Sequence, residues 1–224
     1  DVAQGYDGNL YFADYGGGWS VNKNGSVQVI RPKDKELKRV GKAVAQLMSD
    51  GFSHRSLPEL SGLLEHADQR IRQSAQFAMV EKGEVAVAKL NEILGDKEFS
   101  LLAKLHSIWG LGQLARNGYS ESVTPLILKM LENKEIEIRA NAARVAGSSN
   151  LLKLGSSLLE LLKDPSPRVA SLAALSLGRI GSKSDPVLVS ALLHSVEQNK
   201  GADFDPVLRH SFISALDRIA SPEQ

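Results

Sequence analysis

The 224-residue sequence contains no cysteine. That absence excludes disulfides, zinc ribbons, iron–sulfur clusters, thiol catalysis and covalently attached c-type haem within the chain, while leaving the redox compartment open. No apolar run approaches the ~18 residues that a membrane-spanning helix needs. Neither sign of charge dominates: 27 Lys+Arg face 26 Asp+Glu, a formal net charge of +1. Such a balance argues against a dedicated nucleic-acid binder, which is normally strongly basic. It also argues against a self-repelling disordered chain. With 42 % apolar residues there is enough to bury in a sizeable core. Gly16-Gly17-Gly18 lacks the Lys-Ser/Thr of a phosphate loop and no helix pattern opens directly after it. No signal-peptide pattern stands out. The chain opens on Asp1 in place of methionine, and the expectation is that it starts inside a longer protein.

What is present divides into two unequal parts. Aromatics are 5 % of the chain, yet Tyr6, Tyr11, Phe12, Tyr15 and Trp19 all lie near its start, together with Gly5, Gly8, Gly16, Gly17, Gly18 and Gly25. After Pro32 the chain turns rich in Ala and Leu, which marks a boundary near Arg31-Pro32. In residues 1–31, Asp7-Gly8 and Asn24-Gly25 are two-residue hairpin signals. They separate Asp1–Gln4 from Leu10–Asp14, and Val21–Lys23 from Ser26–Ile30. The expectation is a small antiparallel β meander, too small to be stable alone. Residues 32–54 read as a linker helix capped by Asp34, with Leu37, Val40, Val44, Leu47 and Met48 on one stripe and Asp50-Gly51 at its end.

From residue 55 to 224 a two-helix unit recurs. Its second helix opens on Ile71-Arg72, Ala103-Lys104, Ile138-Arg139, Val169-Ala170 and Leu208-Arg209, each followed by small residues. Successive anchors lie in the thirties of residues apart, a period that suits a helical solenoid. First helices fit the same frame: Leu57, Leu60, Leu63 and Leu64; Val87, Leu90, Ile93 and Leu94; Val123, Leu126, Ile127, Met130 and Leu131; Leu151, Leu154, Leu158, Leu161 and Leu162; Val189, Leu192, Leu193 and Val196. Acidic turns join the partners at Asp68, Asp96, Asp164-Pro165 and Asp205-Pro206, where Asp is read as helix cap and Pro as the first helical residue. Gly112, Gly147 and Gly178 are read as stopping or kinking their helices. The predicted fold is all-α, an α-α superhelix of about five helix pairs behind the β meander.

Asp164-Pro165-Ser166-Pro167-Arg168-Val169 through Leu177-Gly178-Arg179-Ile180-Gly181 resembles the HEAT repeat, and the resemblance extends over roughly Leu57–Ala220. A narrower resemblance lies at Asp7-Gly8-Asn9-Leu10-Tyr11-Phe12-Ala13-Asp14-Tyr15, Gly18-Trp19 and Asn24-Gly25-Ser26-Val27, which is similar to the last blade of a sugar-dehydrogenase-like β-propeller. Leu60–Gln76 and Leu105–Gly112 then follow. This succession resembles the putative membrane-bound dehydrogenase family, in which a glucose/sorbosone-dehydrogenase-like propeller leads into HEAT repeats and often a c-type haem domain. The resemblance implies that the chain holds a propeller's tail and the HEAT region of a larger, extracytoplasmic or periplasmic protein. The haem domain's Cys-x-x-Cys-His is absent, as is most of a propeller.

Candidate functional residues are few. Arg72, Lys104, Arg139 and Arg209 recur at one site of the second helix, either as a basic stripe for an acidic partner or as a ladder bonding nearby turns. His106 and His210 lie in second helices and could share that surface. His54, His66, His106, His194 and His210 are too dispersed for a metal motif, and no metal site is expected. Trp109 reads as packing in an apolar stripe. Asp14 is a cofactor-binding candidate at a propeller mouth, with Tyr15 beside it. Arg31–Lys42 reads as a solvated basic face. The expected function is a non-catalytic scaffold that docks a protein partner or the other domains of its parent, carrying no cofactor itself. The alternatives are an accessory segment of a sugar dehydrogenase or electron-transfer enzyme, and a HEAT-like nucleic-acid binder, the latter opposed by the charge. Unpaired N-terminal strands are expected to permit self-association.

Overall fold

The computed structural model describes residues 1–14, 16, 25–201 and 204–221. The chain forms two compact units, Asp1–Ala75 and Gln76–Gln224.

In the first unit, β1 (Val2–Gln4), β2 (Leu10–Asp14) and β3 (Ser26–Ile30) make an antiparallel sheet in the order β1-β2-β3. Val2 faces Phe12, and Leu10 faces Ile30. The β1–β2 connection is wider than a two-residue hairpin. Gly5 N–H closes it on the Asn9 carbonyl at 2.8 Å. Asp7 organises its interior, its carboxylate accepting from Asn9 N–H at 3.1 Å and Tyr11 Oη at 2.8 Å. Both bonds hold the Asp7 carboxyl below its ordinary range, the Tyr11 hydroxyl foremost. Val21–Lys23 and Asn24 lie outside the described residues; the strand beside β3 is β2.

Helix α1 (Lys35–Asp50) is capped as expected, with Asp34 accepting Leu37 N–H at 2.9 Å. Its stripe is only half used. Val44 is buried, but Leu37 is 59 % and Val40 46 % exposed. The helix is instead held at Gly41, where a Cβ would stand 2.5 Å from the Asp7 carbonyl oxygen. The Asp7-Gly8 turn therefore rests on helix backbone, and Gly8 adopts φ +79° there. Helix α2 (Leu57–Leu63) opens with a capping box between Ser56 and Glu59. Arg70, in the first turn of α3 (Gln69–Glu81), ties that turn to the sheet. It pairs with Asp68 at 2.6 Å, donates to the carbonyls of Gln4 and Gly5, and lies over the Tyr6 ring.

The remaining helices alternate as first and second members of a pair: α4 (Val85–Gly95) and α5 (Leu101–Leu114), α6 (Ser120–Leu131) and α7 (Ile136–Ser148), α8 (Gly155–Glu160) and α9 (Pro167–Ile180), α10 (Pro186–Gln198) and α11 (Pro206–Ile219). With α2 and α3 they make the five expected pairs. A π-helical turn at Ala115–Tyr119 carries α5 into α6, and 3-10 turns flank the short α8. The apolar stripes of the first helices are core: Leu90, Ile93, Ile127 and Leu158 are fully buried. Leu193 is an exception, exposed on α10.

The turn inside each of the five pairs contains an Asp or Asn whose side chain accepts the N–H two residues on. Asp68 binds Arg70, Asp96 Glu98, Asn133 Glu135, Asp164 Ser166 and Asp205 Val207, all at 2.8–2.9 Å. These Asx turns reverse the chain between helices. Asp205 caps α11 directly, with Pro206 first in the helix. Asp164 differs from expectation: α9 starts two residues further on, at Pro167, and Asp164 stays in the turn.

Gly112, Gly147 and Gly178 also differ from expectation. All three lie within helices, and none has positive φ. Each marks a place where one second helix touches the next. A Cβ on Gly112 would meet Val145 at 2.8 Å, one on Gly147 would meet the Ser176 Cα at 2.6 Å, and one on Gly178 the Ala215 Cα at 2.9 Å. The same seam carries buried hydrogen bonds between helices: Ser149 Oγ donates to the Gly112 carbonyl at 2.9 Å, and Ser176 Oγ to the Ala143 carbonyl at 2.7 Å. No described helix is long and apolar enough to cross a membrane.

Two predictions follow from these contacts. Gly147→Ala should lower stability by about 1–3 kcal/mol through overpacking, outweighing the ~1 kcal/mol of helix propensity that alanine gains. Gly62→Ala, where a Cβ meets open space, should be neutral or slightly stabilising; urea melts of the two variants check the contrast. The second concerns acid. Arg70 holds the Asp68 carboxyl below its ordinary range, its hydrogen bonds outweighing the cost of burial. A carboxylate whose folded pKa is depressed adds stability above the unfolded pKa, ~3.9, and loses it as pH falls through the folded value. Asp68→Asn should therefore cost stability at pH 7 and almost none near pH 2, measured by urea unfolding across that range.

Candidate functional site

The residues singled out by their recurrence sit at the turns. Arg72 Nη1 donates to the carbonyls of His66 at 2.7 Å and Ala67 at 2.8 Å. Arg139 makes the same clasp six and five residues back, on Asn133 at 2.8 Å and Lys134 at 3.0 Å. Arg139 also forms a two-pronged ion pair with Asp164 of the following turn, at 2.8 and 3.1 Å. That carboxylate holds the Arg139 guanidinium above its ordinary range. Arg209 reaches the Asn199 carbonyl at 3.4 Å across the longest turn. Lys104 occupies the same position on α5, half-buried, and Ala170 breaks the series on α9. Arg72, Arg139 and Arg209 thus belong to the ladder of turns.

His106 is 3 % exposed and is not a surface group. Its Nδ1 lies 2.7 Å from Gln76 Oε1, and its ring packs edge-on against Trp109. It is buried because α5 is flanked by second helices, which leaves the side chain facing a neighbour. His210 is exposed, 3.3 Å from Ser214 Oγ. His66 Nδ1 accepts the Asp68 N–H at 3.0 Å. Asp14 is exposed and accepts from Gly16 N–H and Gln28 Nε2, both at 3.0 Å. Tyr15 lies outside the described residues. No group of three or more His, Asp or Glu among the described residues could hold a metal ion.

The geometry that gathers polar chemistry lies elsewhere in the second unit. The second helices line a groove of about 440 Å³, built from Gln76, Trp109, Gln113 and Arg116, from Arg144, Val145 and Ser148 of α7, and from Leu172, Leu175, Ser176 and Arg179 of α9. Val145 and Ser176 also belong to the glycine seam, so the close approach of the helices makes the groove floor. Trp109 is fixed from three sides. Its Nε1–H donates to Asn141 Oδ1 at 2.9 Å, His106 packs on its edge at 4.8 Å, and the Arg144 guanidinium stands 5.8 Å from its centroid. Asn141 is itself anchored, its Nδ2 donating to the Glu137 carbonyl at 2.8 Å. Gln76 Nε2 donates to Gln113 Oε1 at 2.9 Å, and Arg116 Nη1 to Ser149 Oγ at 2.9 Å. Three arginines and no carboxylate line this groove.

A larger cleft, about 1210 Å³, opens among α8, α10 and α11. It lies beside the first helix of the fourth pair, which is broken into short turns. Its wall is mainly apolar, with Leu159, Leu162, Val187 and Phe212, and carries one Glu and one Lys. The groove on the second helices has the stronger chemical character, since its arginines and tryptophan converge.

In the sequence Trp109 falls in an apolar packing stripe, and Arg116, Arg144 and Arg179 do not stand out. They fall at different positions in the repeat, so a search for one recurring column passes over them. A signal does exist: Trp109, Gln113 and Arg116, like Leu172, Ser176 and Arg179, follow helical i, i+4, i+7 spacing.

Arg139→Ala should destabilise the chain by about 1–3 kcal/mol, because it leaves the Asp164 carboxylate, 4 % exposed, without its charged partner. Arg139→Lys should recover only part of the loss, since one ammonium cannot reproduce the two-pronged pair together with both carbonyl bonds. Thermal melts of the two variants measure this.

Residues 123–217 match the family described as HEAT repeats. Similar solved structures include a designed armadillo repeat protein, YIII(Dq.V1)4CPAF, in complex with the peptide (KR)4; it is 17 % identical, covers 84 % of this chain and 95 % of its own, and has a TM-score of 0.48. Another is a computationally designed armadillo repeat protein for modular peptide recognition, 17 % identical over 83 % of this chain and 94 % of its own, with a TM-score of 0.45. No curated protein matches the sequence significantly. The paired helices, the Asx turns and the Arg139 clasp of that stretch agree with the match over residues 123–217.

Proposed function

We propose that the unit Gln76–Gln224 is a docking scaffold whose second-helix groove receives a segment of a protein. The observation that carries this reading is the groove's lining. Successive second helices bring a fixed tryptophan, amide side chains, leucines and three arginines to one surface. Such a mixture of flat apolar area and hydrogen-bond donors suits a polypeptide, whose carbonyls accept bonds while its side chains cover apolar surface. The groove's wall holds no histidine or carboxylate, so it supports binding in preference to proton-transfer chemistry.

In a second reading the partner is a neighbouring domain of the same polypeptide, a propeller-containing, dehydrogenase-like parent. The feature in its favour is the N-terminal sheet. Its outer strands β1 and β3 have no further strand beside them among the described residues, and Val2, Val27 and Ile30 are exposed on it. That arrangement suits a sheet completed by other chain.

The docking reading is tested by selecting binders from an unbiased displayed octapeptide library on the whole chain. Selected peptides should bind wild type and lose at least tenfold affinity on Ser148→Trp, which fills the groove, with the melting temperature unchanged. Peptides that bind Ser148→Trp equally well, or failure to select any, would overturn it.

A further inference from the structure

The groove's charge says more about its occupant than its shape does. The ion pairs of the described residues engage Arg39, Arg55, Arg70, Lys89, Arg139 and Arg168. None of them involves Arg116, Arg144 or Arg179. All three of these are exposed, and all three line the groove. The chain as a whole is near neutral, with 27 cations to 26 anions. Here three guanidiniums gather without a carboxylate. Like charges brought together around a low-dielectric wall raise the local potential and favour an anionic ligand. Guanidinium groups also match carboxylate geometry better than ammonium groups do.

Resting on the docking reading above, we infer that the groove takes an extended, acidic polypeptide segment, with Asp or Glu side chains on Arg144 and Arg179 and an apolar or aromatic side chain against Trp109. The Trp109 ring is pre-set for this, because Asn141 and His106 hold its orientation before anything binds. Between the arginines, Leu172 and Leu175 provide apolar surface, which a segment with alternating acidic and apolar residues covers best. Helices pack about 9 Å apart, so the three intervals from α3 to α9 span roughly 27 Å, or about eight residues of extended chain. A polyanionic nucleic acid fits less well. The net charge of +1 gives no broad basic field, and Leu172, Leu175 and Trp109 would set apolar surface against a phosphate backbone.

The test uses the full chain with Trp19→Phe, which leaves Trp109 as the sole tryptophan of the two. Its fluorescence is followed while adding octapeptides that alternate valine with glutamate, glutamine or lysine. The glutamate peptide should bind at least tenfold more tightly than the glutamine peptide, and the lysine peptide should not bind. Raising salt from about 50 to about 500 mM should weaken binding several-fold, as the Debye length falls below the charge spacing. The double variant Arg144→Glu/Arg179→Glu should lose at least tenfold, while Lys153→Glu, away from the groove, should not. Equal binding of glutamate and glutamine peptides, or preference for lysine, would overturn the acidic assignment; if library-selected peptides still needed an open groove, docking itself would stand. A short oligothymidine that binds more tightly than the glutamate peptide, with the same dependence on Arg144 and Arg179, would also overturn it in favour of nucleic acid.

Discussion

The close approach of successive second helices is the contact on which the second unit depends. At Gly112, Gly147 and Gly178 the facing helix comes so near that no side chain fits between. At Gly147 and Gly178 the near atoms include the facing helix's backbone, while at Gly112 they belong to the Val145 and Ser149 side chains. Two consequences follow. Serine hydroxyls can bridge from one helix to a carbonyl of the next, as Ser149 and Ser176 do. The floor of the seam, Val145 and Ser176, also becomes the floor of the groove. The groove and the packing core are therefore two sides of one contact.

The turns set the spacing within which that contact can form. An Asx turn reverses the chain, and an arginine at the start of the second helix satisfies carbonyls left over from the reversal. Arg72 and Arg139 do this at the same sequence separation. Arg139 adds a link to the next turn through Asp164. Helix ends carry unsatisfied carbonyls, and a cation held among them is worth more than one in solvent. These arginines are held within the turns, while Arg116, Arg144 and Arg179 are exposed along the groove.

In the first unit a different device does similar work. The small sheet has few apolar contacts to hold it, and several of its apolar side chains are exposed. It is tied instead by backbone. The Asp7-Gly8 turn sits on Gly41 of α1, and Arg70 binds the carbonyls of Gln4 and Gly5 while lying over Tyr6. A glycine in mid-helix and an arginine beside a turn aspartate are both explained by these two contacts.

The five helix pairs, their apolar stripes and the antiparallel strands were legible in the sequence, because helix and strand periodicity and turn chemistry are local properties. Leu90, Ile127 and Leu158 announce their burial through spacing alone. The boundaries that failed are those where one local signal had two outcomes. Asp164-Pro165 reads as a cap, yet Pro167 offers a second start and the helix takes it. Glycine in a helix reads as a stop until the neighbouring helix is known to pass over it. Exposure of Leu37 and Val40, burial of His106, and convergence of Trp109 with Arg116, Arg144 and Arg179 all depend on which helix lies alongside. Local sequence determined which residues share a face of each helix. Only the tertiary structure decided which of those faces meet, because helix-to-helix distance is set by contacts between residues about thirty or more positions apart.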